Sequence, residues 1–297
     1  MDINYELYKV FYYVAVTLSF SEASKQLFIS QSAVSQSIKV LEKKLNQKLF
    51  LRSTKKVQLT PEGELLFRHI EPAMNLIRQG ENQLLEAGGQ GGGQLRIGAS
   101  DTICRYYLVP YLSRFHREHP HVRIKVTNQT SILCVGLLDQ GLVDLIVINY
   151  PNSALPSTHT PRFINEFSDV FVASREFYPL EGQVLTLSQL QSYPLLTLDR
   201  KSTTSEFLHS MFRRCHLDLV PEIELSSNDL LIDLARIGLG IAFVPDFCIP
   251  AQDRDLFVLQ LKEELPRRHM AAVCKESLPL PQAARQFMDI LQSPRIL

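Results

Sequence analysis

The sequence lacks long apolar segments, a secretion signal and paired cysteines. No apolar run approaches the roughly 18 residues of a membrane-spanning helix, and the short apolar stretch 10–18 follows Asp2 and Glu6 rather than a positively charged segment. The five cysteines are scattered, odd in number and never spaced as Cys-x-x-Cys, a pattern that favours free thiols in a reducing compartment. We therefore expect a soluble, cytoplasmic protein that does not bind a membrane.

Motifs of catalysis are also missing. The chain contains no Gly-x-Ser-x-Gly elbow, no phosphate-binding loop and no His-Glu-x-x-His pair. His116, His119 and His121 lie close together, but Pro120 interrupts any regular ligand spacing, which favours a solvated helix end over a metal site. We expect no enzymatic activity, no cofactor and no metal. An α/β enzyme with an unrecognised site is an alternative that no motif supports.

The chain also lacks a net charge. The 297 residues contain 31 basic and 31 acidic side chains, which argues against a protein that binds nucleic acid along its whole length. The charge is nevertheless uneven, because segment 21–60 holds eight cations against Glu22 and Glu42 and carries a local charge of +6. The length favours two domains, at roughly 150 residues per domain, and the first is the candidate for binding DNA.

Helical periodicity in the first sixty residues predicts a helix-turn-helix. Apolar residues at helical spacing predict a first helix over 7–18, and Ser21 is predicted to cap a short helix over 22–27. After a tight connection, a third helix is predicted over 31–45, with one apolar and one polar face. The buried stripe of this third helix is predicted to consist of Val34, Ile38, Leu41 and Leu45.

The outer face of the third helix carries side chains that can hydrogen-bond to base edges. Gln pairs with adenine, Ser with several bases, and Lys meets guanine or phosphate. For one isolated helix a solvated face is the simpler interpretation, but the preceding short helix and tight turn have helix-turn-helix spacing. The residues predicted to enter the major groove are Gln31, Ser32, Ser35, Gln36 and Lys39.

Two short β-type segments, 49–51 and 57–59, predict a hairpin with a basic tip. Arg52, Lys55 and Lys56 are predicted to contact phosphates or to enter a minor groove. The alternative is a solubilising turn, but three cations beside a recognition-type helix favour a DNA contact.

The order of these motifs resembles the winged helix-turn-helix of LysR-type transcriptional regulators. Ser24 stands where this family usually has Ala, Ser32 where Pro is frequent, and Asn46 where Gly is common, so Asn46 implies a left-handed helix cap. The resemblance implies a sequence-specific regulator that binds double-stranded DNA. The residues that carry it occupy 20–27, 30–36, 41–42, 49–50, 52 and 59–63.

A long helix is predicted over 61–87, with Thr60 as its N-cap and Pro61 at its first position. A heptad-like spacing of its apolar residues, with Glu81 as one polar interruption, indicates a coiled-coil seam. Packing on its own domain is the alternative. We favour a homodimer seam, which the resemblance also implies, and therefore a pseudo-palindromic operator. The predicted dimerisation residues are Phe67, Ile70, Met74, Ile77 and Leu84.

Five glycines in six residues predict a flexible hinge at 88–93. Beyond it, strand and helix patterns alternate with short connections, which predicts right-handed βαβ units and a doubly wound α/β fold. The predicted strands are 95–99, 122–126, 145–148, 170–173, 195–198, 222–225 and 241–244. The predicted helices are 105–118, 132–140, 206–214, 228–236 and 281–291.

Polar residues follow several of these strands, at the sheet edge where doubly wound folds bind ligands. Each one alone is more often a helix cap, but their convergence predicts a small-molecule pocket. Arg105 or Lys201 would favour an anionic ligand. Asp101 and Asp199 argue the other way, so the sign of the ligand stays open. The predicted effector-binding residues are Ser100, Thr102, Thr130, Ser131, Asn149, Ser202, Thr203, Ser227 and Asn228.

Segments 141–145 and 237–245 resemble signatures of the family's effector domain. This resemblance implies two subdomains similar to periplasmic binding proteins, a small-molecule effector in the cleft, a homotetramer, and contact with RNA polymerase. The predicted domains are the winged helix-turn-helix DNA-binding domain at 1–60, the linker helix at 61–87, the Gly-rich hinge at 88–93, and the effector-binding domain at 94–297. Within that domain, subdomain I covers about 94–164 and 267–297, and subdomain II about 165–266.

A redox-responsive regulator is an alternative within the same class. Cys104 lies next to the predicted pocket and Cys215 lies in the other subdomain. Neither has a resolving cysteine nearby in the sequence, and a free cysteine is usually a buried apolar residue.

Overall fold

A computed structural model of the chain describes residues 3–52, 56–87, 93–250, 253–276 and 278–293. The chain forms two compact units, one containing residues 1–90 and 140–142 and the other residues 91–139 and 143–297. Of the predicted hinge, only Gly93 lies within the described residues. No helix in the described part of the chain combines the length and apolar character that crossing a bilayer requires.

The first unit begins with three helices, α1 (Tyr5–Thr17), α2 (Phe20–Leu27) and α3 (Gln31–Leu45). The predicted Ser21 cap of α2 is wrong, because Phe20 is already helical and packs its ring 5.9 Å from that of Phe50. The N-cap is Ser19, whose hydroxyl oxygen accepts a hydrogen bond from the backbone N–H of Glu22 at 3.2 Å. Asn46 closes α3 at φ 52°, so the predicted left-handed cap is confirmed.

A short hairpin and a long helix complete this unit. Strand β1 (Phe50–Arg52) pairs antiparallel with β2 (Val57–Leu59), and α4 spans Pro61–Ala87. Thr60 caps α4, because its side-chain oxygen accepts from the backbone N–H of Gly63 at 3.0 Å. The core of the unit is formed by buried side chains of α1, α3 and the hairpin, including Phe11, Val14, Val34, Ile38, Leu41 and Phe50.

The second unit alternates strands and helices over most of its length. Its strands are β3 (Gln94–Ala99), β4 (Arg123–Asn128), β5 (Leu145–Tyr150), β6 (Arg162–Phe167), β7 (Asp169–Ser174), β8 (Val184–Leu185), β9 (Leu195–Leu198), β10 (Ile223–Leu225), β11 (Ile241–Pro245), β12 (Leu256–Val258), β13 (Gln260–Leu261) and β14 (Arg268–Cys274). Its helices are α5 (Asp101–Ile103), α6 (Val109–Glu118), α7 (Ser131–Asp139), α8 (Leu187–Leu190), α9 (Thr203–Arg214), α10 (Asn228–Arg236) and α11 (Gln282–Gln292). A π-helical turn, Cys104–Leu108, joins α5 to α6.

These strands build two lobes, each around a five-stranded sheet. The sheet of the first lobe has the order β4-β3-β5-β14-β6, and that of the second lobe has the order β10-β9-β11-β7-β12. In each sheet three strands run parallel, and the next two pair antiparallel. The chain enters the second lobe between β6 and β7 and returns to the first lobe at β14.

The structure contains every predicted strand and adds five others, namely β6, β8, β12, β13 and β14. Alternation of strands and helices predicts only parallel pairing, whereas β14 and β7 run antiparallel to their neighbours. The predicted helix 105–118 also begins earlier, at Asp101, because Ser100 provides its cap.

Candidate nucleic-acid interface and ligand cleft

Helix α3 separates its residues into a buried and an exposed face. Val34, Ile38 and Leu41 are fully buried, while Leu45, predicted to be buried with them, is only half-buried at the end of the helix. Ser30 caps the helix by accepting from the backbone N–H of Ala33 at 3.2 Å. On the predicted base-contacting face, Ser35 is half-buried, and the exposed residues are Gln31, Ser32, Gln36 and Lys39.

Glu42 fixes the hairpin relative to α3. Its side chain is buried, and Oε1 accepts from the backbone N–H groups of Leu49 at 2.9 Å and Phe50 at 3.4 Å. Lys48 Nζ lies 3.3 Å from Oε2 and partly compensates the buried charge. The sequence shows Glu42 as a counter-charge in a basic segment and as part of the family resemblance, but not as a hydrogen-bond acceptor for the hairpin. Lys56 at the hairpin is exposed, while Lys55 and the side chain of Arg52 lie outside the described residues.

The first half of α4 packs on α1. The ring of Phe67 stacks on Tyr12 with 6.3 Å between centroids, and Ile70 contacts the core of the same unit. Arg78 donates to the hydroxyl oxygens of Tyr12 and Tyr13, each at 3.1 Å. The heptad-like spacing of apolar residues in α4 predicts a seam between two chains. Packing within this unit therefore explains part of that spacing.

Further along α4 the predicted seam residues are more accessible. Met74 is half-buried, whereas Ile77 is 56% exposed and Leu84 is 75% exposed. An exposed leucine and isoleucine seven residues apart fit a seam between two copies of this helix. The pairing itself stays a prediction.

A cavity of about 280 Å³ lies where the two lobes of the second unit meet. All nine predicted effector-binding residues line it, although they come from segments far apart in the sequence. Their role as ligand contacts stays a prediction. The lining also includes residues that the sequence analysis did not select as ligand contacts, namely Asp101, Asn128, Gln129, Leu198, Asp199, Thr204 and Ser226.

Four helix starts converge on this cavity. Ser100, Ser202 and Ser227 cap α5, α9 and α10, accepting from the backbone three residues onward at 3.3, 3.1 and 3.3 Å. Thr130 accepts from the backbone N–H of Leu133 at the start of α7, also at 3.3 Å. Because α5 continues through the π-helical turn into α6, each of the four is the start of a long helical segment. Their partial positive charges favour an anionic group in the cavity.

Most cavity hydroxyl groups already accept a hydrogen bond from the protein. Ser131 Oγ accepts from the backbone N–H of Asn149 at 3.1 Å, and Thr102 Oγ1 accepts from the Asn228 amide at 2.9 Å. A hydroxyl group that accepts in this way retains its own proton for donation. Ser202 differs, because it donates to the carbonyl of Asp199 at 3.0 Å. The cavity therefore presents mainly O–H donors to a ligand.

The lining contains two carboxylates, Asp101 and Asp199, and no cation among the described residues. Neither Arg105 nor Lys201 lines the cavity. Arg105 instead lies 3.3 Å from the carboxylate of Asp229, which also accepts a short hydrogen bond from Tyr106.

Polar contacts join the lobes beside the cavity. The Thr102–Asn228 hydrogen bond and the Arg105–Asp229 ion pair connect the start of α5 and the π-helical turn with α10. The Ser153 hydroxyl group donates to Glu206 of α9 at 2.8 Å. These contacts are exposed or half-buried.

Cys104, Cys215 and the clustered histidines are the sequence's candidates for redox chemistry and metal binding. Burial, reinforced by the charge of Asp101, raises the pKa of Cys104 to about 11, which keeps it a thiol near neutral pH. Cys215 is half-buried at the end of α9. His119 packs against Phe115, and within the described residues no three His, Cys, Asp or Glu side chains are grouped to hold a metal ion.

Two family models match the chain. "LysR substrate binding domain" covers residues 88–294, and "Bacterial regulatory helix-turn-helix protein, lysR family" covers residues 5–64. Among curated relatives, a "Probable RuBisCO transcriptional regulator" of Cyanidioschyzon merolae is 28% identical over 84% of this chain and 83% of its own length.

Solved structures agree on the fold. Full-length CbnR, a LysR family regulator complexed with its target DNA, superimposes with a TM-score of 0.67 at 17% identity, covering 98% of this chain and 99% of that one. The regulatory domain of Synechocystis CcmR in complex with 2-PG gives 0.62 at 19% identity, covering 68% of this chain and 96% of that domain. The chain therefore belongs to the LysR family of DNA-binding transcriptional regulators and is not an enzyme.

Proposed function

We propose that this protein binds a pseudo-palindromic operator as a homodimer and that a small oxyanion-bearing ligand in the cleft switches its effect on transcription. The observation that carries this proposal is the convergence of nine separately predicted polar residues on one cavity at four helix starts. Such a cavity has the hydrogen-bond donors to hold a ligand.

In this proposal the exposed face of α3 enters the major groove. Gln31, Ser32, Ser35, Gln36 and Lys39 contact base edges or nearby phosphates. Arg52, Lys55 and Lys56 contact the DNA backbone or the minor groove. Support comes from the exposure of most of this face and from the local charge of +6 over residues 21–60.

The cavity chemistry indicates the class of ligand. Helix starts and O–H donors favour oxygen acceptors that carry negative charge. Asp101 and Asp199 at the same cavity favour a hydrogen-bond donor on the ligand, such as a hydroxyl or ammonium group. We therefore propose a small hydroxy acid, amino acid or similar molecule. CcmR, solved with 2-PG, gives a precedent for ligand binding in a domain of this fold.

The proposed assembly places the α4 seam, including Ile77 and Leu84, between two copies of the chain. The effector-binding units then pair further into a homotetramer that contacts RNA polymerase. Because its target is DNA, we place the protein in the cytoplasm. Ligand binding favours the state in which the lobes close on it, and this shift in population changes how the dimers are arranged on DNA.

A ligand panel tests this function. Full-length protein is titrated by calorimetry with small carboxylic acids that carry or lack a hydroxyl or amino group. We expect binding by acids that carry one, and weaker binding by Thr102→Val, which loses a cavity hydroxyl group. Thr158→Val, at an exposed threonine outside the cavity lining, is the matched control. Failure of every acid to bind, or equal binding by Thr102→Val, would contradict the proposal.

A further inference from the structure

Arg268 is buried at the point where the chain returns from the second lobe to the first. It begins β14 and is 1% exposed. Its Nη1 donates to Asp169 Oδ2 at 2.8 Å and to Thr204 Oγ1 at 3.1 Å. The guanidinium group lies 5.3 Å from the ring centroid of Phe167 and 5.1 Å from that of Phe207. Arg268 therefore links both connecting segments of the lobes with the start of α9.

Stability does not explain this ion pair. Arg268 Nε and Nη2 and Asp169 Oδ1 are buried, and none has a hydrogen-bond partner among the described residues. Burial raises the pKa of Asp169, although the neighbouring guanidinium group opposes that rise. Buried ion pairs with unsatisfied atoms are often no more stable than apolar residues of similar size. The contact of this pair with Thr204, a residue of the cavity lining, favours a role in binding.

Thr204 connects the ion pair to the ligand cleft. Thr204 is 2% exposed and lines the cavity, and its hydroxyl oxygen accepts from the buried guanidinium group. Because its hydroxyl oxygen accepts from Arg268, the hydroxyl proton is available to a ligand. The cavity lining itself contains no cation within the described chain. The positive charge of Arg268 thus lies one hydrogen bond away from a residue of the cavity lining. The low polarity of its surroundings strengthens its electrostatic effect.

We propose that Thr204 binds the oxyanion of the ligand and that Arg268 is its positioning residue, which orients and polarises the Thr204 hydroxyl group. In this arrangement the charge of Arg268 acts on the ligand without direct contact. The inference rests on the oxyanion ligand proposed above and adds the residue that supplies positive charge to a cleft lined by carboxylates.

The test is a double-mutant cycle on full-length protein with inorganic sulfate, inorganic phosphate and 2-PG as probes, measured by calorimetry. Thr204→Val removes the hydroxyl group, and the pair Arg268→Met with Asp169→Leu removes both buried charges together. Each is expected to weaken probe binding roughly tenfold, because a hydrogen bond polarised by a charge is lost. Combining them is expected to weaken binding no further, since both changes remove the same interaction.

Three further variants separate positioning from folding. Thr204→Ser and Arg268→Lys keep the hydroxyl group and the positive charge, and both are expected to retain most of the affinity. Thr197→Val is the matched control, because Thr197 is a fully buried threonine of the same lobe outside the cavity lining. Thermal unfolding of each variant without a probe, followed by circular dichroism, reports whether the second unit is folded.

The outcomes distinguish this inference from the function on which it rests. Weak binding by Thr204→Val with unchanged binding by the charge-free pair would show that Arg268 is only structural, while the oxyanion site stands. Additive losses, or loss of affinity in Arg268→Lys as large as in the charge-free pair, would also overturn the positioning role. If no probe binds the unaltered protein, both the oxyanion ligand and this inference fail.

Discussion

Ser100, Thr130 and Ser227 show how one side chain serves two purposes at the residue scale. Each hydroxyl oxygen accepts a backbone N–H at a helix start, which is the ordinary role of serine and threonine there. Accepting uses a lone pair and leaves the hydroxyl proton for a ligand. A helix cap and a ligand contact are therefore compatible at these positions.

Gln31 tests base recognition at the same scale. Gln31→Ala is expected to cost about 1–3 kcal/mol of specific binding and to relax the base preference at one position of the operator, because a bidentate contact is lost. Gln47→Ala is the control, since Gln47 is exposed at the other end of α3. Affinities for the operator and for single-base variants provide the measurement. Equal weakening on all sequences would show that Gln31 does not select a base.

Cys104 tests the redox alternative. Because its pKa is raised to about 11, only a small fraction is thiolate at neutral pH, and that fraction grows about tenfold per pH unit up to the pKa. Alkylation of the folded protein, followed by mass spectrometry, is expected to be slow at pH 7 and to accelerate steadily to pH 10. Cys104→Ser is expected to regulate normally. Rapid alkylation that levels off below pH 8 would restore the redox hypothesis.

At the scale of elements, α4 combines two kinds of packing in one helix. Its first half contacts α1 through Phe67 and Ile70, and Arg78 adds hydrogen bonds to Tyr12 and Tyr13. A heptad-like spacing cannot separate such contacts from a seam between chains, because both require apolar residues on one helix face.

Ile77 is the sharper test of the seam. Ile77→Glu is expected to reduce the oligomeric mass in sedimentation experiments, because a charge would be buried between two helices. Ile70→Glu would be ambiguous, since Ile70 packs against its own unit. Leu65→Glu is the control, at a position 60% exposed and off the predicted seam. An unchanged mass for Ile77→Glu would contradict the assignment.

The elements also show how far the sequence alone could lead. Periodicity located α3, α4 and the parallel strands because each buries one face or both in a regular way. It missed β14, whose mostly buried sequence carries no alternation, and it missed short strands such as β8 and β13. It also missed Glu42 and Arg268, because their roles depend on partners that only the fold brings near.

Charge is distributed unevenly along the whole molecule. The segment 21–60 holds a charge of +6, and the remainder of the neutral chain compensates it with −6. The basic segment is suited to the DNA backbone, while the cleft of the second unit combines carboxylates with helix starts for a small polar ligand. Regulation in this account requires that ligand binding in one unit changes DNA binding by the other.

That coupling is tested most directly by selecting bound fragments from genomic DNA with the full-length protein, with and without a cleft ligand identified by the panel. We expect enrichment of a pseudo-palindromic motif whose occupancy or footprint changes with the ligand, and in Thr102→Val the same change only at higher ligand concentration. Sequence-indifferent binding, or a footprint that the ligand leaves unchanged at saturation, would contradict it.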